Sequence, residues 1–264
     1  GGSLRFRGRR CAPSVDAELK DRITHEAHSS SYSVHPGGDK MYKDLKTTFW
    51  WSGMKRDVAE FVARCLVCLK VKIEHKRPMG LLQPLEVPTW KWDSIAMDFV
   101  TGLPVSKNLY NTIWVVVDRF YKAAVFIPMR EDWEMSKLAE AYIKFVVKRF
   151  GVPSSIVSDR DPRYLSQFWQ AFQREFGTKL NFSTAFHPMT DGQTERTIQT
   201  FEDMLRACVL QFQGSWVDRF DLIEYSYNNN FHASIRAAPF EVLYGRRCRM
   251  PLCWEDPSDR VLLG

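Results

Sequence analysis

Thr112-Ile-Trp-Val-Val-Val-Asp118 is an unbroken apolar run of strand length, the pattern of a strand buried on both faces of a sheet. Before it, Trp92-Asp-Ser-Ile-Ala-Met-Asp-Phe-Val100 alternates as a strand does and is closed by Gly102-Leu-Pro104. After it, a short turn leads to Ala123-Ala-Val-Phe-Ile127. Three consecutive antiparallel strands are therefore expected. Ser136 to Phe150 has helical periodicity and stops at Gly151-Val-Pro153. Ser155-Ile-Val-Ser158 reads as a short buried strand, Gln167 to Phe176 as a helix, and Lys179 to Ser183 as a fifth strand. A polar loop, His187-Pro-Met-Thr-Asp-Gly-Gln193, leads into a long helix ending near Phe212. Its stripe Ile198, Phe201, Leu205, Cys208, Val209 and Phe212 is expected to be buried. Helical stretches near Trp216–Asn228 and Pro239–Tyr244 follow. The order βββαβαβα predicts an α/β fold, a mixed five-stranded sheet with flanking helices.

Upstream of the sheet the pattern is helical. Asp16 to His28, Asp39 to Leu45 (with Asp39 as N-cap) and Lys55 to Cys65 read as three short helices. Phe49-Trp-Trp51 is expected to pack in their core. His28 and His35 are separated by six residues, and Cys65 and Cys68 by two. Structural zinc takes four nitrogen or sulfur ligands in a tetrahedron, and a small helical unit gains much from such a staple. His25 is a rival to His28 as ligand. The unit is expected to be a small zinc-binding domain preceding the sheet.

Charge and cysteine content narrow the setting. The chain has 264 residues, a net charge of +6 and six cysteines. Residues 1–80 hold 16 Lys+Arg against 9 Asp+Glu, whereas the remaining 184 hold 21 and 22. A basic front end points to a polyanion, nucleic acid first. Six cysteines are too few for a disulfide scaffold in a chain this long, so a reducing, intracellular compartment is expected. No apolar run approaches a membrane span and the N-terminus has no signal-peptide core. The first methionine is Met41, so the sequence reads as a piece of a longer translated chain.

Three carboxylates stand out by position. Asp98 is polar within the first strand, Asp159 directly follows Ser155–Ser158, and Glu195 opens the long helix. Like charges gathered at a sheet edge call for hard divalent cations, and a pair of such ions drives phosphodiester displacement. Asp118, Asp161 and Glu202 read as turn or solvated acids. Gln193, Arg196 and Gln199 flank Glu195 and are candidates to hold DNA backbone, and His187 in the preceding loop is a candidate DNA contact or local hydrogen-bonder.

From about Leu4 to Trp254 the chain resembles the integrases of gypsy-type long-terminal-repeat retrotransposons. The resemblance is carried by Glu26-Ala-His, His35-Pro-Gly, Phe49-Trp-Trp-Ser-Gly-Met-Lys, Cys65-Leu-Val-Cys68, Trp90-Lys-Trp-Asp-Ser-Ile-Ala-Met-Asp-Phe-Val, Ile156-Val-Ser-Asp-Arg-Asp-Pro, Phe186-His-Pro-Met-Thr-Asp-Gly-Gln-Thr-Glu-Arg and Tyr227-Asn-Asn. It implies an HHCC zinc module on His28, His35, Cys65 and Cys68, and a DDE triad on Asp98, Asp159 and Glu195. The 35 residues between Asp159 and Glu195 match the family's spacing. It further implies an RNase H-like core, structural Zn2+, catalytic Mg2+ or Mn2+, and 3′-end processing followed by strand transfer. The implied partners are element-end and target DNA and further copies of the chain; the implied location is the nucleus. No membrane or nucleotide cofactor is expected, since no Gly-rich phosphate loop is present. The expected division is a basic tail at 1–14, the zinc domain at 15–72, a linker at 73–86, the catalytic core at 87–250 and a truncated tail at 251–264. Two rival readings are a catalytically inactive, zinc-stabilised DNA-binding relic and a ribonuclease of the same fold.

Overall fold

The computed structural model describes residues 4–12, 17–71, 88–182, 192–212 and 215–249, with only the backbone described at 192–196 and 212. The expected linker 73–86, the C-terminal tail, and the loop bearing His187 lie outside the described residues. These residues fall into two compact units. One lies within Gly1–Ile73, Asp203–Gly214 and Asp221–Gly264; the other within Glu74–Glu202 and Ser215–Phe220.

In the first unit, residues expected as a basic tail form a hairpin. β1 (Arg5–Phe6) pairs antiparallel with β2 (Arg9–Cys11), and β2 pairs parallel with β3 (Phe49–Trp50). Arg7 (φ 50) and Gly8 (φ 80) make the turn, and two successive positive φ values suit the twist of a tight hairpin. Three helices stand where periodicity places them: α1 (Ala17–Ser29), α2 (Gly38–Leu45) and α3 (Met54–Arg64). A fourth, α4 (Leu66–Val71), was not expected. α2 is capped by Gly37, so Asp39 sits in the first turn, where its charge meets the helix dipole, and is not the N-cap. Ile23, Met41, Leu45, Trp51, Met54, Val58 and Val62 form the core. Trp51 is buried as expected, but Trp50 is only half-buried and its ring lies 4.5 Å from that of Phe6.

The second unit is the five-stranded sheet, in the order β6-β5-β4-β7-β8. Its strands are β4 (Ser94–Val100), β5 (Thr112–Asp118), β6 (Ala124–Met129), β7 (Ser155–Ser158) and β8 (Lys179–Phe182). β4, β5 and β6 form the antiparallel meander, while β7 and β8 add in parallel. All seven residues of β5 are buried, as the unbroken apolar run requires. β6 runs on through Pro128 because it is an edge strand, where a missing N–H leaves no ladder bond unmade.

Helices cover both faces. After β6, α5 (Met135–Tyr142) passes through one π-helical turn, Ile143–Val147, into α6 (Lys148–Phe150). α7 (Pro162–Leu165) and α8 (Gln167–Glu175) separate β7 from β8. Trp114 of β5 meets Tyr142 and Trp169 on one face. Phe126 pairs with Val115 in register, so it points to the other face, where it stacks on Phe201 at 3.9 Å. Phe201 belongs to α9 (Gly192–Phe212). On α9, Phe201, Leu205 and Cys208 are buried and Ile198 is half-buried, but Val209 is 44% exposed. Eight residues beyond Phe201, a helix has turned about 80° past that face.

A 3-10 turn (Trp216–Arg219), α10 (Phe220–Asn229) and α11 (Pro239–Tyr244) complete the described chain. Asp221 onward groups with the helical unit. The contacts are specific: Ser226 Oγ donates to the Ser33 carbonyl at 2.8 Å, and Arg247 pairs with Asp44.

Asp118, expected as a surface or turn acid, is a fully buried turn acid. It accepts the backbone N–H groups of Phe120 and Tyr121 at 2.7 Å each, and that of Trp92. Trp92 needs this anchor: it has φ 58 and stacks on Phe150 at 3.8 Å. Asp118→Ala leaves buried donors without an acceptor and is expected to cost about 2–4 kcal/mol of stability. Urea unfolding of the variant checks this; an unchanged midpoint would show that the three bonds contribute nothing.

Candidate metal centres

Four metal-type side chains converge in the first unit. His28 stands in the last turn of α1 and is fully buried. Cys65 is the extended residue that ends α3, and Cys68 lies one turn into α4, so the Cys-x2-Cys pair straddles a helix break. His35 ends the loop after α1, and both it and Val34 have left-handed backbone (φ 51 and 50). His28 Nε2 lies 3.2 Å from His35 Nδ1 and 3.3 Å from Cys68 Sγ. His35 Nδ1 is 3.4 Å from Cys65 Sγ and 3.8 Å from Cys68 Sγ. All four donor atoms lie within 4.8 Å of one another. A zinc tetrahedron with Zn–N near 2.05 Å and Zn–S near 2.3 Å has edges of roughly 3.3 to 3.8 Å, so this donor set fits the ion. His25, the rival ligand, is not in the cluster. Burial, reinforced by the charge of His25 and opposed by a hydrogen bond to Gln211, lowers the pKa of His35 and favours the neutral imidazole a metal requires.

The second gathering is at the sheet. β4 and β7 run parallel with Met97 opposite Ser158. Asp98 and Asp159 each stand one residue beyond that pair, on neighbouring chains a strand spacing of about 4.8 Å apart. Asp98 is half-buried and Asp159 exposed. Burial, then the charges of Asp159 and Asp161, push the Asp98 carboxyl up to about 6, against the Phe99 N–H and Arg163. Burial and Asp161 also raise Asp159, opposed by the Asp161 N–H and Arg163. Asp161 caps α7, as a turn acid would. Its carboxylate is held by the Arg163 guanidinium at 2.6 and 2.8 Å. Arg163 in turn lies 3.6 Å from the Phe99 ring centroid. Arg163 is the cation beside these acids that sequence reading missed; its only signal was the Asp161-Pro-Arg start of a short helix.

Glu195 lies on α9 by its backbone, and its side chain, like those of Gln193 and Arg196, is outside the described residues. Gln199 is half-buried on the same helix.

The charge arrangement has a measurable cost. An acid whose folded pKa is raised stabilises the fold below its unfolded value and loses that contribution as pH rises through the folded value. For Asp98 the window runs from the ordinary 3.8 to about 6. With zinc retained and no magnesium added, Asp98→Asn is expected to stabilise the fold at pH 7 by on the order of 2 kcal/mol. The gain should vanish near pH 4. A melting temperature at pH 7 equal to or below wild type would show that no such repulsion exists.

Residues 15–74 match the family model described as the integrase zinc binding domain. Over 229 residues the chain is 35% identical to the Transposon Tf2-3 and Tf2-4 polyproteins of Schizosaccharomyces pombe, covering 87% of this chain. The helical unit is thus similar to integrase zinc-binding domains, and most of the chain to part of retrotransposon polyproteins. The chain spans 17% of the length of those curated relatives. A chain of the simian T-cell lymphotropic virus intasome, seen by cryo-EM, shares the fold with a TM-score of 0.53 at 18% identity, covering 84% of this chain and 77% of that one. The zinc module and the mixed sheet therefore stand as the resemblance to gypsy-type integrases led one to expect. Among the described residues, no helix is long and apolar enough to cross a membrane.

Proposed function

We propose that this integrase homologue joins DNA ends to target DNA by metal-assisted phosphodiester displacement, with Asp98, Asp159 and Glu195 as the carboxylates that hold the ions. The observation that carries this reading is the adjacency of Asp98 and Asp159, each one residue beyond the Met97–Ser158 pair of β4 and β7, with burial and the Asp159 charge pushing the Asp98 carboxyl up to about 6. A polar, oxygen-only donor set with one half-buried member fits Mg2+ or Mn2+. Ions bound there would activate an attacking oxygen and stabilise a leaving one. The carboxylates themselves orient the ions and thereby the reacting phosphodiester. Arg163 holds Asp161 aside, so that acid is occupied with α7 and does not join the pair. Glu195 enters by its place at the start of α9 and its spacing from Asp159. Gln193, Arg196, Gln199 and His187 are the proposed contacts to DNA backbone. The same reading makes element ends and target the two DNA partners, assembles further copies of the chain on them, and places the reaction in the nucleus.

Purified chain, short element-end DNA and Mg2+ or Mn2+ should yield processed ends and strand-transfer products, and Glu195→Gln should remove both. Binding of DNA with zinc present but no product under any divalent ion would favour the inactive relic. Product undiminished in Glu195→Gln would remove Glu195 from the site.

A further inference from the structure

The His28–His35 loop is held in a strained form by residues far along the chain. Two successive non-glycine residues, Val34 and His35, have left-handed φ values of 50 and 51. Such backbone persists only where surrounding contacts over-determine it. The His35 amide donates to the His28 carbonyl at 2.8 Å, which closes the loop on itself. Ser33 Oγ donates to the Glu26 carbonyl at 3.0 Å, and the Ser33 carbonyl receives Ser226 Oγ of α10. These bonds set the backbone, but none touches the imidazole.

The imidazole has its own partner. His35 Nδ1 faces His28 Nε2 and the two thiols, which leaves the proton on Nε2. That N–H donates to Gln211 Oε1 at 2.6 Å. Gln211 Nε2 in turn donates to the Ser29 carbonyl at 2.9 Å, at the other end of the same loop. Gln211 lies in the last turn of α9, within the same compact unit as the zinc module. One carboxamide thus reads both ends of the ligand loop: its oxygen the ring of His35, its nitrogen the carbonyl that follows His28.

We infer that Gln211 is a positioning residue for the zinc site, fixing the tautomer and the ring orientation of His35. An outer partner of this kind raises the basicity of the ligand and removes the freedom the ring would lose on binding metal. The zinc module of this chain is then completed from outside residues 15–74, by the C-terminal end of α9. The inference rests on the zinc assignment, and the test separates the two.

The test uses the full chain, with zinc affinity measured by competition against a chromogenic chelator and ligand geometry read from the visible absorption of the cobalt(II)-substituted protein. Gln211→Leu keeps the volume without an acceptor, and is expected to weaken zinc binding about 10- to 100-fold and to alter the cobalt spectrum. Gln211→Glu keeps an acceptor for the His35 N–H and is expected to stay near wild type in both, although it loses the donor to Ser29. A merely structural role would lower the melting temperature of zinc-saturated protein in both variants and leave their zinc affinities equal. Equal affinities in the Glu and Leu variants therefore overturn the inference. If the Leu variant does not fold, Gln211→Met takes its place, with the same criterion. Wild-type protein that holds no zinc overturns the zinc assignment and this inference with it.

Discussion

Asp98→Asn and Asp159→Asn should each lower strand transfer by at least about 10³-fold, a loss on the order of 4 kcal/mol of transition-state stabilisation. Each replaces an anionic oxygen ligand by a neutral amide, and a site that depends on ions between two carboxylates loses charge and geometry together. The control is Asp161→Asn. Asp161 lies two residues from Asp159, yet its carboxylate is committed to the Arg163 guanidinium and the Arg163 amide. Its removal weakens the cap of α7 and frees Arg163, so activity should fall by no more than about the tenfold that a lost cap and ion pair cost. Folding is not the cause of the loss in Asp98→Asn, because that change relieves repulsion and is expected to stabilise the metal-free sheet. A variant more stable than wild type, still binding DNA and without strand-transfer product, distinguishes a metal ligand from a structural acid. Full activity in either asparagine variant would leave the paired carboxylates without a catalytic role.

How much of this could be read in the sequence depends on the distance over which each feature is written. β5 is explicit, because burial on both faces allows only apolar residues from Ile113 to Val117. The Cys65–Cys68 pair and the His28–His35 gap are equally local, since ligands to one ion must be presented by short turns. β1, β2 and β3 were missed because strands of two or three residues hold no period. Asp118 was read as a bland acid because its distant partner, Trp92, is recruited only when β4 and β5 pair. Asp98 and Asp159 lie far apart in the chain, and only the parallel register of β4 and β7 makes them neighbours. Gln211 is 176 positions from His35, and no spacing rule links them. What α9 does for the loop is a property of packing alone.

Loss of the metal from the HHCC site should be the largest stability effect in the molecule. Apparent zinc binding to small structural sites is worth about 10–16 kcal/mol at neutral pH, and that free energy is spent on folding the unit around the ion. Here the dependence should be steep. The helices α1 to α4 share one small hydrophobic cluster that includes Cys68 and packs against Cys65, so the ligands and the core are one piece. Without an ion, His28 and Cys68 leave a nitrogen and a sulfur facing each other at 3.3 Å inside that core. Cys65→Ser removes a thiolate at the end of α3, and a serine hydroxyl is a poor substitute for zinc. The variant is expected to lose its metal, which in wild type should measure about one ion per chain. Hydrogen exchange should then accelerate across residues 17–71. The sheet has its own core, with every residue of β5 buried, and its amides should keep their protection. A chelator added to wild type should reproduce the pattern, and zinc should reverse it. If residues 17–71 stay protected after the metal has gone, the helical core is self-sufficient, and the four ligands serve something other than the stability of the fold.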